Sequence, residues 1–227
     1  MNQPKTERSE GMKNPHVTAA KIIRELEALP ERKTVPMRRI RKAHSRALRD
    51  APVGKIFEIA NTILDTGEHR WIAYEMIANH TEAYQLLDRR RLERLGLGIN
   101  SWWTVDAFAR TLSGPAWRDG LIDAATIRDW ARSPDLWWRR AALVSTVALN
   151  MRSKGGKGDV ANTLANCQML VSDRDDMVVK ALSWALRELV VHDALGVQQF
   201  LNRNADQLAA RVKREVSNKL KTGLKNP

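Results

Sequence analysis

"VVKALSWALRELVV", residues 178–191, decides the fold class. At about 100° per residue, Val178, Leu182, Ala185, Leu186 and Leu189 fall on one face of a helix, and no alternation of β-branched residues competes with that period. Trp184 falls on roughly the opposite side, with Lys180 four residues before it and Arg187 three after. Core periodicity leaves this indole unexplained. It either packs on another helix layer or meets a sugar or base beside a phosphate backbone, where a tryptophan between two cations is useful.

The helical period extends towards both ends, through Ile22, Ile23, Leu26 and Leu29 and again through Ile56, Ile59, Ala60 and Ile63. Breaks at Pro30, Pro52, Gly67, Gly96, Gly98, Gly114-Pro115, Pro134, Gly155-Gly156, Ser172 and Gly196 imply about 11 or 12 helices of roughly 12–16 residues. The fold class is all-α. Helical hairpins that cannot each bury an apolar face stack as antiparallel pairs in a curved solenoid, with a compact bundle as the alternative. No repeat of fixed period and consensus is visible. A tail over residues 1–15, expected to be disordered, precedes a single domain over 16–227.

With 227 residues, 43% hydrophobic and 28% charged, the chain can bury one sizeable core. No run approaches the roughly 20 apolar residues of a membrane span, and the first residues lack the apolar stretch of a signal peptide. The expected location is cytoplasmic, on the nucleoid in a bacterium. One cysteine, Cys167, excludes an intrachain disulfide, and the five histidines show no ligand spacing, so no structural metal is expected.

The net charge of +12 favours a polyanionic partner. Between Arg32 and Arg49 there are eight Lys/Arg, among them Arg38, Arg39, Arg41 and Lys42, and no acid. Ile40, Ala43 and Ala47 supply the expected buried stripe of that helix, and its polar face reads either as a solvated surface or as a rail for phosphates. Arg211–Lys225, with six basic residues against Glu215 alone, carries a weaker form of the same signal. Ser153–Gly158 has phosphate-loop composition but not the order, and reads as a flexible basic loop.

Two more stretches carry candidate chemistry. In "NSWWTVDAF", residues 100–108, Val105 and Phe108 continue with Ala109 and Leu112 as a core stripe, while Trp102 and Asp106 share its margin one turn apart. In "PDLWWRRAALV", residues 134–144, Trp137, Ala141 and Val144 form the apolar line with Arg140 at its edge, where its fork could meet a phosphate or an acid.

Together the three stretches resemble the AlkD-type DNA alkylation-repair glycosylases, which have a HEAT-like helical-repeat fold. The family's W-x-x-x-D motif is matched by Trp102 and Asp106, its W-x-x-R-A-A segment by Trp137 with Arg140-Ala141-Ala142, and its K-A-x-x-W-x-L-R-E helix by Lys180-Ala181, Trp184 and Leu186-Arg187-Glu188. The motifs cover roughly residues 100–220, and the helix pattern continues back to about residue 17.

The resemblance implies HEAT-like repeats curved around a concave basic groove, and a monofunctional glycosylase that releases cationic N3- or N7-alkylated purines from duplex DNA without cofactor or metal. It implies catalytic roles for Asp106, Trp102 and Trp184. Asp106 would stabilise an oxocarbenium-like sugar and the indoles would face the cation. Arg140, Arg187, Lys180, Arg38, Arg39, Arg41 and Lys42 would bind DNA without reading sequence. The expected partner is alkylated double-stranded DNA, bound by a monomer. A catalytically inactive helical-repeat module that binds nucleic acid or serves as a scaffold is the alternative.

Overall fold

Aspartate or asparagine starts half of the described α-helices by accepting hydrogen bonds from first-turn amides that have no partner inside the helix. The computed structural model describes residues 14–227, and most of the expected tail lies outside these described residues. Asn14 caps α1 (Pro15–Glu27) through the amides of His16 and Val17. Asp88, Asp123, Asp135, Asp159, Asp175 and Asp193 do the same for α6 (Arg89–Gly96), α9 (Ala124–Ala131), α10 (Leu136–Asn150), α11 (Val160–Met169), α12 (Asp176–Leu189) and α13 (Ala194–Arg203). The fold is all-helical, as the sequence period requires. Several helices are shorter than expected because internal caps divide stretches that periodicity alone joins: His80 starts a five-residue α5 (Thr81–Gln85), and Asp88 starts α6 soon after.

Cα packing divides the chain between Leu87 and Asp88, inside the span read from sequence as one domain. In the first unit, α1 packs on α3 (Val53–Asp65) and α3 on α4 (Arg70–Ala78), burying Ile22, Leu26, Ile56, Ile59, Ile63, Ile72 and Ile77 completely. α2 (Thr34–Ala47) lies against α1 and α4. Its inward face is not the expected one: Met37 and Arg41 are buried, whereas Ala43 and Ala47 are exposed and Ile40 is intermediate. The cause is Glu75 on α4, which accepts from Arg41 Nε at 2.9 Å and from Arg38 Nε at 2.8 Å, so a guanidinium turns inward where an alanine edge was expected.

The second unit is built around α10, in which every residue from Arg140 to Asn150 is buried. It carries α7 (Trp102–Phe108), α8 (Gly114–Arg118), α9, α11 and α12, and α12 carries α14 (Ala210–Thr222). Helices two apart in sequence thus stack as a layer, α10 on α12 on α14, as repeated helical hairpins do. Small side chains allow the close approach. Ser145 donates to the Ala141 carbonyl and meets Ser113 at 2.8 Å, so the buried hydroxyls are satisfied. Phe108, Trp130 and Trp138 form a tilted and edge-on aromatic cluster with centroids 4.9–6.0 Å apart.

The glycine-rich segment is an ordered turn and not the flexible loop its composition suggests. Gly156 is buried and donates to Met151, Gly158 donates to Leu149, and Arg118 donates to the Lys154 carbonyl. Backbone amides fold it onto the end of α10.

Glycine at position 114 has a packing reason, since a Cβ there would lie 2.6 Å from the Ala148 Cβ and 2.7 Å from the Ser145 carbonyl oxygen. Gly54, near the start of α3, faces open space. Gly114→Ala should therefore destabilise by about 1–3 kcal/mol, while Gly54→Ala should stabilise by about 0.4–1 kcal/mol. Denaturant unfolding of the two variants checks the opposite signs.

Candidate active site

Ser101 and Thr104 fix the start of α7, the Thr104 hydroxyl accepting the Ser101 amide at 3.2 Å. This places Trp102 and Trp103 at the first two helical positions, 56% and 43% exposed, while Val105 and Phe108 turn fully inward. The expected core stripe of Val105, Phe108, Ala109 and Leu112 is completely buried. Asp106, one turn after Trp102, lies at the boundary.

Asp106 is where three helices meet. Arg140 of α10 donates from Nε to Oδ1 and from Nη2 to Oδ2, both at 2.9 Å, and its Nη1 donates to the Met177 carbonyl at the start of α12. The Arg140 side chain is 6% exposed and that of Asp106 is 15%, so the carboxylate is the more accessible end of the pair. The sequence leaves Arg140 at a helix edge, open to a phosphate or an acid. The structure resolves this in favour of the acid, because a guanidinium in the core needs a counter-charge and acceptors for its donors. Burial pushes the Asp106 carboxyl above the usual carboxylate range, and Arg140 followed by Arg110 opposes that shift.

After Phe108 the chain passes through one π-helical turn, Ala109–Ser113, before α8. The wider turn re-aims the side chains that follow it. Arg110, in this turn and exposed, places its guanidinium carbon 5.4 Å from the centroid of the Trp184 ring on α12. Trp184 is half-buried and donates from Nε1 to Glu188 at 2.9 Å. Its principal cation is thus Arg110, which helix phase on α12 could not reveal. The available signal was Arg110's position four residues after Asp106, on the margin that already held the acid and Trp102.

The α12 cations lie in other company. Lys180 pairs at 2.6 Å with Asp176, whose carboxyl that bond holds below its ordinary range. Arg187 donates to Ser183 and lies 3.9 Å from the buried Glu215, and burial lowers its pKa against the pull of Glu215 and Glu188. In the first unit, Arg41 is buried on Glu75 and Arg38 shares that acid while lying 5.5 Å from the Trp71 ring centroid. Arg39 and Lys42 are exposed and, with Val35, Arg38, Ala43 and Arg46, line a surface depression. Of the eight basic residues, Arg41 alone is buried and the other seven are exposed.

Chemically, the second unit presents an oriented carboxylate, a guanidinium behind it, and tryptophans on all three helices that meet there. The chain is thus an all-helical protein whose second unit holds one oriented, mostly buried carboxylate. The family described as DNA alkylation repair enzyme matches residues 30–220, and the chain belongs to that AlkD-type family. Neither the curated proteins nor the solved structures give a match. Membership makes DNA the partner and repair of alkylation the role. No helix among the described residues is long and apolar enough to cross a membrane.

The ion pair gives a stability test. Arg140→Met strands a buried carboxylate and Asp106→Leu strands a buried guanidinium, and each should cost about 3–5 kcal/mol. Asp106→Leu/Arg140→Met should recover most of that loss, a coupling read from a double-mutant cycle of denaturant midpoints.

Proposed function

We propose that the protein is a DNA N-glycosylase that releases cationic N3- or N7-alkylated purines from duplex DNA. The observation that carries this reading is the Asp106 carboxylate, gripped on both oxygens by Arg140 and left as the accessible end of the pair. Alkylation at N3 or N7 gives the purine a positive charge. When the C1′–N bond breaks, its electron pair leaves with the base and neutralises it, and the charge moves to the sugar. A carboxylate already oriented towards that sugar stabilises the cation without reorganising during the reaction.

Arg140 takes one lone-pair position on each Asp106 oxygen and leaves others. A water held by one of these adds to C1′ and passes its proton to the carboxylate or to solvent, giving an abasic sugar with no covalent bond to the enzyme. Arg140 thus acts as a positioning residue in this proposal. Trp102 and Trp184 offer ring faces to the cation, and Arg110, exposed beside Trp184, is available to a backbone phosphate once DNA is bound. Arg39 and Lys42 of the first unit supply further phosphate contacts of their own.

The closed Asp106–Arg140 pair also favours a second reading, a helical-repeat module that binds DNA without chemistry, because a bidentate ion pair can be wholly structural. Free-base release separates the two. Duplex DNA carrying 7-methylguanine or 3-methyladenine should yield free base, and Asp106→Asn should lower the single-turnover rate by about 10²–10³-fold with binding and the circular dichroism spectrum retained. Binding without release by the unaltered protein would support the silent module.

The pH profile has a definite sign. Only the ionised carboxylate stabilises the sugar cation, so release is lost as pH falls through the Asp106 pKa. Burial sets that limb above the usual carboxylate range. Arg110 opposes the shift, so Arg110→Gln should move the limb to still higher pH. A limb in the ordinary carboxylate range, unmoved by Arg110→Gln, would remove Asp106 from the chemistry.

A further inference from the structure

The first unit holds a group of ligand-type side chains that the proposed glycosylase reaction does not use. His69 connects α3 to α4 with a left-handed backbone, φ 51°, and its side chain is 5% exposed. Its Nε2 is buried and has no hydrogen-bond partner. That nitrogen lies 3.7 Å from Glu68 Oε2, and Glu27, the last residue of α1, brings a third ligand atom, so that all three lie within 4.8 Å of one another. Both glutamates are exposed, which leaves the group open to solvent on their side. Glu68 Oε2 is also 3.3 Å from Arg32 Nη1, and Arg32 is about half exposed.

We propose that Glu27, Glu68 and His69 bind a divalent cation of the zinc class. A buried polar nitrogen without a partner is rare in folded proteins, and an ion is one of the few occupants that accounts for it. Two ligands held at about 2 Å from a tetrahedral ion lie roughly 3.3 Å apart, close to the 3.7 Å between Nε2 and Glu68. One imidazole with two carboxylates selects zinc, cobalt or nickel over calcium and magnesium, which take oxygen ligands. Three protein ligands leave a fourth position for water. The ion replaces Arg32 at Glu68, and the exposed arginine turns to solvent. Because the ligands come from the end of α1 and from the α3–α4 connection, the ion ties those elements together. Histidine spacing along the chain gives no sign of the site, since two of its three ligands are carboxylates and one comes from a distant helix.

The full-length protein, freed of metal by chelation, is titrated with Zn²⁺ by calorimetry, and its melting temperature is followed with and without the ion. One equivalent should bind and raise the melting temperature, while Mg²⁺ at the same concentration should not. His69→Asn removes the imidazole but keeps a residue that tolerates left-handed backbone. Glu27→Gln changes an exposed side chain and leaves the fold intact. Each should weaken Zn²⁺ binding by about tenfold or more and remove the thermal shift. Absence of binding overturns the proposal, and so does a titration unchanged in both variants, which would place the ion elsewhere. Neither result bears on base release.

Discussion

Arg140 is the constraint from which the second unit is organised. α10 is buried at every position from Arg140 to Asn150, so its first buried side chain is a permanent cation inside a helical core. A guanidinium there is tolerable only if its charge is balanced and its donors are taken. Asp106 supplies the charge and two acceptors, and Met177 supplies a third. Meeting this requirement fixes α7 and the first turn of α12 against α10, and the geometry of the candidate site follows from core packing. The carboxylate can be held without freedom to rotate because releasing it would leave an unpaired charge in the interior.

Core faces were legible in the sequence because burial has a period. Val178, Leu182, Ala185, Leu186 and Leu189, like Val105, Phe108, Ala109 and Leu112, are buried as their phase demands. The exceptions arise where a charge from another helix overrides the local pattern. On α2 the inward position goes to Arg41, since Glu75 lies on α4 to receive it, and no window of the α2 sequence contains that glutamate. Trp184 is similar: its phase away from the core is real, but Arg110 reaches it across a tertiary contact through a π-helical turn that propensity does not announce. The glycine segment after α10 failed for another reason. Composition reports conformational freedom, whereas the amide hydrogen bonds that remove the freedom depend on the end of α10.

The tryptophans follow the same logic. Trp117 and Trp130 are buried, and Trp138 packs on Phe108 and Trp130, so large indoles do fill much of this core. Trp102 and Trp103 are different, standing adjacent and exposed at the start of a helix whose next turn carries Asp106. With each indole about half exposed, part of the roughly 1.5–3 kcal/mol that full burial of a large side chain contributes is forgone. Packing offers no return for that placement, whereas a partner that covers the rings would.

Net charge overstates how many cations are available to a polyanion. Glu215, the single acid of the C-terminal basic stretch, is buried and draws Arg187, Arg211 and Lys225 to within 4 Å while accepting from Ser183. Glu75 holds Arg38 and Arg41, and Asp176 holds Lys180. A pair such as Lys180–Asp176 lies at the surface and can open for a phosphate at little cost. Arg41 and Arg187 cannot, because moving them would uncover a carboxylate already removed from water. The cations able to meet DNA are therefore chosen by the burial of their acidic partners, and sequence position ranks them poorly: Arg39 and Lys42 face solvent while Arg41, between them, belongs to the core.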